Sequence, residues 1–592
     1  MTLTAGADTA QADAVEVFST WLADFAGSME SADVEGVTRL VTDDCWWRDL
    51  LALTWDLSTF RGPDEVAAML TTHLHQAALG AVSMVTEYAP RHQTPETGEP
   101  WVEGFFTFET ALAVGRGVAR LRSVDGEWRA WSVMTGMEDI KGRERALGAR
   151  RPVGPRHIPG ASTQENWADR RRQETAFATS EPDVVVIGAG QGGLAVAANL
   201  GLMGVDTLII EKSERVGDGW RKRYHSLVLH DPVWADHLPY LPFPQSWPIY
   251  SAKDKIADWF EFYAAAMELN VWTSTQLISS EYDEASGRWT MRVRTADGER
   301  EIRPKDVILS SGAAGEPNIP DIPGRESYTG TVYHSSGHTS GGDWAGKKAV
   351  VVGACNSGHD IAQELYESGA AVTMVQRSST YIMSQQHGIP AIFGALFHED
   401  GPPTEYADLL SSAYPWPLVL NLAVEQTKAI AKMDADLLQA LDAVGFRMND
   451  GPDGTGLMGY ALRNGGGYYI DVGASQLIAD RRIALAQGSG VAEFTPTGVR
   501  LQDGTALDAD LVVLATGYSN MRETARRLFG DVVADKCQPV LGVNEDGELG
   551  GLWRRTGQPG LWFMGGPLAW VRIYAKYLAL QITADQAGVR GS

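Results

Sequence analysis

The stretch VVVIGAGQGGLAVAANL, Val184 to Leu200, decides the reading of this chain, and it returns in altered form as AVVVGACNSGHDIAQEL, Ala349 to Leu365. Each copy opens with apolar, mostly β-branched residues, turns on glycine and continues as an apolar helix. Glycines let a backbone approach a pyrophosphate, and the helix that follows offers its unpaired N–H groups to it. One copy alone is weak evidence, because a lone Gly-rich turn is often only a tight loop. Two copies 165 positions apart, each followed by a strand end suited to a ribose, point to two nucleotides held close together.

In the first copy Gly188, Gly190 and Gly193 take the three fingerprint positions, and Gln191 opens the helix. Glu211 closes the next strand, DTLIIE, 23 residues after Gly188, with Lys212 beside it. A carboxylate there can accept both ribose hydroxyls and repels a 2′-phosphate. That selects FAD or NAD over NADP. The loop GDGW (Gly217–Trp220) offers Gly219 and Trp220 to lie against a flavin. DVILSSG, ending in Ser311 and Gly312, and DLVVLATGY, with Thr516 and Gly517, are buried-strand patterns that finish in small residues. LWFMGG sets Gly565 and Gly566 before a helix, a geometry suited to a flavin's polyol and carbonyl edge.

The second copy has Gly353, Cys355 and Gly358 in the matching places, so cysteine replaces the middle glycine. Asn356 and Ser357 can donate to phosphate at the helix start. The next strand ends in Gln376-Arg377-Ser378-Ser379 rather than in an acid. Arg377 with Ser378 suits a 2′-phosphate through planar paired donors and full charge. One strand end rejects that phosphate and the other welcomes it: FAD is expected in the first site and NADPH in the second.

Composition narrows the remaining classes. With 592 residues the chain should form two to four domains. A formal charge of −25 argues against nucleic acid or an anionic membrane as partner. Cys45, Cys355 and Cys537 are too scattered for a disulfide framework, a redox pair or a metal cluster. The N-terminus shows no signal-peptide pattern, and no apolar run is long enough to span a bilayer. A cytoplasmic protein is expected.

Residues up to about Ala12 read as a flexible tail. Val15, Phe18, Leu22 and Phe25 recur at helical spacing, as do Val34, Val37, Leu40 and Val41, and Gly62-Pro63-Asp64-Glu65 opens a third helix. WVEGFFTFETALA, GVARLRSV and EWRAWSVM then alternate like strands, the last two joined at Asp125-Gly126. Helices followed by an antiparallel sheet make residues 13–138 an α+β domain. Trp46, Trp47, Arg48, Asp49 and Asp56 could line a pocket there, or pack its mouth against another domain. A basic linker spans 139–182. The expected plan beyond it is an α/β pair of dinucleotide-binding domains: the first at 183–334 and 471–592, and the second, with a substrate-covering insertion, at 335–470.

These residues resemble the flavin-containing monooxygenase family, its YUCCA-like branch most closely. The resemblance covers about Val184 to Ala587. YTGTVYHSS (Tyr328–Ser336) is similar to the family's identifying pattern, keeping Gly330 and His334, although His338 stands where an aromatic is usual. LVLHDPVWADHLPYLPFP (Leu227–Pro244) resembles the branch's Leu-His-x-Pro stretch. The N-terminal domain resembles the SnoaL-like cone fold, whose members often pair through their sheets, so a homodimer is one expectation.

The resemblance implies that NADPH reduces FAD and that dioxygen adds at the flavin's 4a position. The 4a-hydroperoxyflavin then gives one oxygen atom to a small, apolar or aromatic substrate. N- or S-oxygenation, oxidative decarboxylation of a 2-oxo acid and Baeyer–Villiger chemistry all stay open. Within the Leu-His-x-Pro stretch, His230 and Asp231 are the candidate catalytic polar groups, while His334 reads as structural. An NADPH oxidase, or a non-catalytic flavin-binding protein whose cone domain holds a ligand, is the alternative.

Overall fold

The computed structural model describes residues 3–95, 98–154, 165–312 and 316–589, with side chains described from Asp13 onward. Two five-stranded parallel sheets form its centre. The first runs, in spatial order, Asn270–Trp272, Thr207–Ile210, Val184–Ile187, Asp306–Leu309 and Leu561–Phe563. The second runs Thr331–His334, Leu511–Leu514, Lys348–Val352, Ala371–Gln376 and Ala484–Gln487. In each, the strand before a Gly-rich turn lies at the middle, where the ends of neighbouring strands flank the turn. Val184–Val186 and Val307–Leu309 are fully buried, as helices covering both faces of a parallel sheet demand. Each unit also has a three-stranded antiparallel meander, at Gln276–Ile302 and at Val491–Asp508.

This pairing moves the expected domain boundaries. Thr331–His334, Ala484–Gln487 and Leu511–Leu514 all join the second sheet. The chain therefore enters the second unit before residue 335 and returns to the first only after Leu514, not at 471. DVIL and DLVVL are equally apolar buried runs, and nothing local in either says which sheet it completes.

Between the sheets' strands, residues 385–463 supply five helices: Gln385–Phe393, Thr404–Ser412, Trp416–Met433, Ala435–Ala443 and Gly456–Arg463. Among the described residues no helix is long and apolar enough to cross a membrane.

The N-terminal unit is a seven-stranded sheet over three helices, Leu3–Glu30, Val34–Arg39 and Gly62–Ala77. Phe18, Trp21, Phe25, Trp47 and Phe106 fill its core. Ala113–Val124 and Glu127–Ile140 form the expected hairpin, with Asp125 and Gly126 both at positive φ (54° and 86°), the twist a two-residue turn needs. Two expectations change. The first helix begins at Leu3, because the alanine-rich start has no proline to stop it. Val41–Leu50 and Leu57–Arg61 are strands that sequence periodicity missed. Their outer face is covered by the rest of the chain, so polar residues lie inside and the usual alternation is lost.

That covered face explains the cluster Trp46–Asp56. Arg48 forms a buried ion pair with Glu548, Asp56 pairs with Arg554 at 3.1 Å, and Asp49 accepts hydrogen bonds from Thr135, Thr54 and the Leu53 N–H. Arg48 and Asp56 thus seal an interface between units, while Asp49 braces its own unit and Trp47 fills that unit's core. Within the basic segment, the helix Trp167–Ala176 docks on the first sheet's edge. Trp167 donates to Glu268, and Arg171 to Asn270 Oδ1 at 2.9 Å.

Candidate functional site: two nucleotide grooves and a carboxyl-bearing loop

The first groove begins where Val184–Ile187 turns into the helix Gln191–Leu202. Gly188 stands at φ +108°, where a Cβ would meet the Ser310 carbonyl oxygen at 2.6 Å, and a Cβ on Gly193 would strike the Gly188 carbonyl. A Cβ on Gly190, in contrast, would meet no protein atom within 4 Å. The turn thus packs tightly on its protein side and is open on the other, where the helix N–H groups point. A side chain at Gly190 would fill that cradle.

Around the cradle the expected residues converge. Glu211 accepts the Ala189 and Ser213 N–H groups, each at 2.8 Å, which holds its carboxylate across the turn, and Lys212 next to it is exposed. Trp220 Nε1 donates to Gln191 Oε1, and Gln191 Nε2 donates to the Gly566 carbonyl, both at 3.3 Å. Trp553 Nε1 holds the Gly565 carbonyl at 2.9 Å. Gly219 is exposed in the short helix Asp218–Arg221, and Ser311 and Gly312 are exposed at the end of the adjoining strand.

The second groove repeats the packing. A Cβ on Gly358 would strike the Gly353 carbonyl, as Gly193 does with Gly188. Cys355 has φ −108° and ψ −171°, extended backbone much like that of Gly190 (φ −81°, ψ −175°), so the replacement of glycine introduces no backbone strain. Burial pushes its thiol pKa up, which keeps it neutral. Asn356 Oδ1 accepts from the Ile470 N–H at 2.9 Å, Ser357 is half-buried beside it, and Arg377 and Ser378 are exposed at the end of Ala371–Gln376. Thr516 and Gly517 lie beside this second turn, because the Ala515 N–H donates to the Val352 carbonyl at 2.8 Å.

His334 is a tether. One ring nitrogen meets the Gly517 carbonyl at 2.9 Å and the other accepts the Ser336 N–H at 3.1 Å, while burial lowers its pKa.

Between the grooves lies the loop that bears His230 and Asp231. His230 lines a cavity of about 290 Å³ with Tyr224, Tyr250, Asp360, Glu364 and Gln385. Its Nδ1 is buried without a hydrogen-bond partner among the described residues. Tyr224 donates to Asp360, across the two units. Burial raises the Asp231 carboxyl to about 6, against a smaller opposing pull from His230.

Sequence reading missed two residues here. Asp236, 3% exposed, follows Asp231 by five positions, and burial raises its pKa well above the carboxylate range. Arg572, on the helix Leu568–Ala587, donates to the Ala235 carbonyl and, at 3.0 Å, to that of His237, while its fork grips Asp408 at 2.7 and 2.8 Å. Asp236 was visible in the quoted Leu227–Pro244 stretch. Arg572 is 336 residues away, and no local pattern could have joined them.

Comparison with known proteins agrees with this architecture. Residues 185–388 match the family model described as pyridine nucleotide-disulphide oxidoreductase. The indole-3-pyruvate monooxygenase YUCCA1 of Oryza sativa subsp. japonica is 30% identical over 360 residues, covering 60% of this chain and 80% of its own. The probable indole-3-pyruvate monooxygenase YUCCA4 of Arabidopsis thaliana is 32% identical, covering 57% of this chain and 76% of its own. The chain belongs to the flavin monooxygenase family. It is an oxidoreductase that incorporates one oxygen atom.

At the level of fold, this flavin monooxygenase resembles an ε-caprolactone-bound cyclohexanone monooxygenase. The TM-score is 0.52 at 18% identity, over 69% of this chain and 88% of that one. It likewise resembles OTEMO in complex with FAD and NADP, with a TM-score of 0.51 at 20% identity, over 69% of this chain and 86% of that one.

Proposed function

We propose that the groove at Gly190 and Glu211 holds FAD, that the groove at Gly358 and Arg377 holds NADPH, and that the substrate is oxygenated beside the His230–Asp236 loop. The observation that carries this reading is the contrast of strand ends on two otherwise matching turns. Glu211 presents a carboxylate, and Arg377 an exposed guanidinium. Bound in these grooves, the two cofactors supply hydride transfer and the activation of dioxygen. The chain's own residues do the rest. The tight glycine turns hold phosphates on helix N–H groups, Gln191 ties the first turn to the Trp220 loop and Gly566, and Gln385, at the start of the 385–463 helices, donates to the His230 carbonyl.

The substrate class we infer is a small neutral or cationic organic molecule, such as an amine or thioether. The cavity beside His230 is walled by the carboxyl groups of Asp360, Glu364 and Glu367. A 2-oxo acid, the substrate type named for the YUCCA relatives, would bring a like charge to that wall. Asp360 itself has a pKa raised by burial, which softens the repulsion without reversing it.

Anaerobic titration of the purified protein with NADPH and with NADH tests the cofactor assignment. Bleaching of one bound FAD per chain by NADPH in preference to NADH supports it, and equal response to both removes the role of Arg377. Oxygen uptake coupled to an amine or thioether, set against a 2-oxo acid, tests the substrate class.

A further inference from the structure

We propose that Asp236 and Asp231 work as one carboxyl pair, placed beside Arg572 between the two grooves, that supplies the proton consumed in each oxygen transfer. This rests on the groove assignment above. The overall reaction, NADPH + H⁺ + O₂ + S → NADP⁺ + SO + H₂O, requires that proton. The hydride carries two electrons to dioxygen, the O–O bond breaks, and one oxygen bonds to the substrate. The other oxygen leaves as water with two hydrogens, one that entered as hydride and one that entered as a proton. A group that holds a proton at neutral pH, and recovers it from solvent, must sit near the reacting atoms.

The loop that carries the pair lies between the two grooves. The Asp236 and Ala235 N–H groups both donate to the Pro232 carbonyl, at 3.1 and 2.8 Å, a single turn that sets Asp236 and Asp231 in one short loop. On one side, Ala235 packs against Ala569 and Trp570, in the first turn of the helix that begins two residues after Gly566. On the other side, His230, next to Asp231, lines one cavity with Tyr250, Asp360 and Gln385, and Gln385 Nε2 donates to the His230 carbonyl at 3.4 Å. The loop that carries the pair therefore lies between the helix after the first site's C-terminal motif and the helix Asn356–Glu367 of the second unit. Asp236 is 3% exposed, yet among the described residues its carboxyl has no hydrogen-bond partner. A buried acid without a partner is costly when ionised and retains its proton.

The surrounding charges agree. Arg572 is the cation facing Asp236, but its fork is committed to Asp408. His230 faces Asp231, with Asp360 beyond it. His237 is held neutral, its pKa lowered to about 3 by burial and then by Arg572. Two like carboxyls with one preoccupied cation cannot both ionise readily, so they titrate as a unit.

Difference infrared spectroscopy of the FAD-loaded enzyme between pH ~4 and ~9 reads the protonated carboxyl directly. The expected wild-type band persists near neutral pH. Asp236→Asn removes it, and Asp231→Asn moves its midpoint down by about one unit or more, because the neighbouring like charge is gone. In parallel, hydrogen peroxide release driven by NADPH and dioxygen alone should lose the matching step in its pH profile in Asp236→Asn. Should Asp236→Asn not fold, the shift in Asp231→Asn decides the question by itself. Wild-type protein that takes up no FAD overturns the groove assignment and this proposal with it. Retained FAD with a band unmoved by either substitution overturns the pair alone.

Discussion

Arg48, on a strand of the N-terminal sheet, and Glu548, close to the C-terminal motif, form a two-pronged ion pair with N–O distances of 2.7 and 2.6 Å. Neither side chain is more than 1% exposed. The guanidinium also lies over Trp416 and Tyr574, and Tyr574 stacks on Trp553, which holds the Gly565 carbonyl. Through these contacts the N-terminal unit reaches the rear wall of the first groove. It grips the helix Thr404–Ser412 as well, since Arg48 and Arg120 donate to the Ser412 and Leu410 carbonyls at that helix's end.

Breaking that pair from one side should be expensive. Arg48→Met leaves Glu548 buried and unpaired, for a loss of about 3–5 kcal/mol. Replacing both, Arg48→Met with Glu548→Leu, should recover much of it. Thermal unfolding of the three proteins checks this. A single variant as stable as the wild type would mean that the interface contributes little to folding.

Arg377→Ala should lower kcat/KM for NADPH by roughly tenfold to a hundredfold, the worth of about 1.5–3 kcal/mol for a charge-assisted contact. Activity with NADH should hardly change. Steady-state kinetics with both nucleotides measures the ratio, and a parallel fall in both would show that Arg377 has a structural task.

Gly190→Leu places a side chain in the open cradle of the first turn, where a Cβ meets no protein atom. The chain should fold, since nothing is displaced, but emerge without bound flavin. Its visible spectrum compared with its thermal transition separates the two effects, and a yellow, normally stable variant would contradict the assignment of that turn.

Glu138 joins the N-terminal sheet to the C-terminal helix through Lys576 and Arg145. Burial would raise its pKa, but the two cations outweigh burial and hold it down at about 2. A depressed carboxyl contributes stability above its unfolded value, and that contribution fades as pH falls from about 4.5 toward 2. Glu138→Gln should therefore be less stable than wild type at neutral pH and show a shallower loss between those values. Denaturant midpoints measured across that range would reveal it, and parallel curves would rule it out.

Much of the candidate cofactor site was legible because its parts are local. A strand, a glycine turn and a helix start lie within ten residues, and Glu211 or Arg377 follows at the next strand end, so a linear reading meets them in order. The second unit's edge was not legible. DVIL and DLVVL carry the same buried-strand pattern, and only hydrogen-bond pairing assigns Leu511–Leu514 to the second sheet. The N-terminal strand around Arg48 was hidden for a related reason, because its outward face is covered by residues hundreds of positions later.

The amino-acid order by itself determined that the fold carries two dinucleotide-binding units, and it set out the contrast of strand ends, Glu211 against Arg377, since both depend on neighbours along the chain. Tertiary structure alone decided that Asp236 is buried where Arg572 binds the neighbouring carbonyls, and that Arg48 closes on Glu548. Burial and charge pairing act through space, and the energy of a carboxyl depends on what surrounds it, however far away in the chain those surroundings begin.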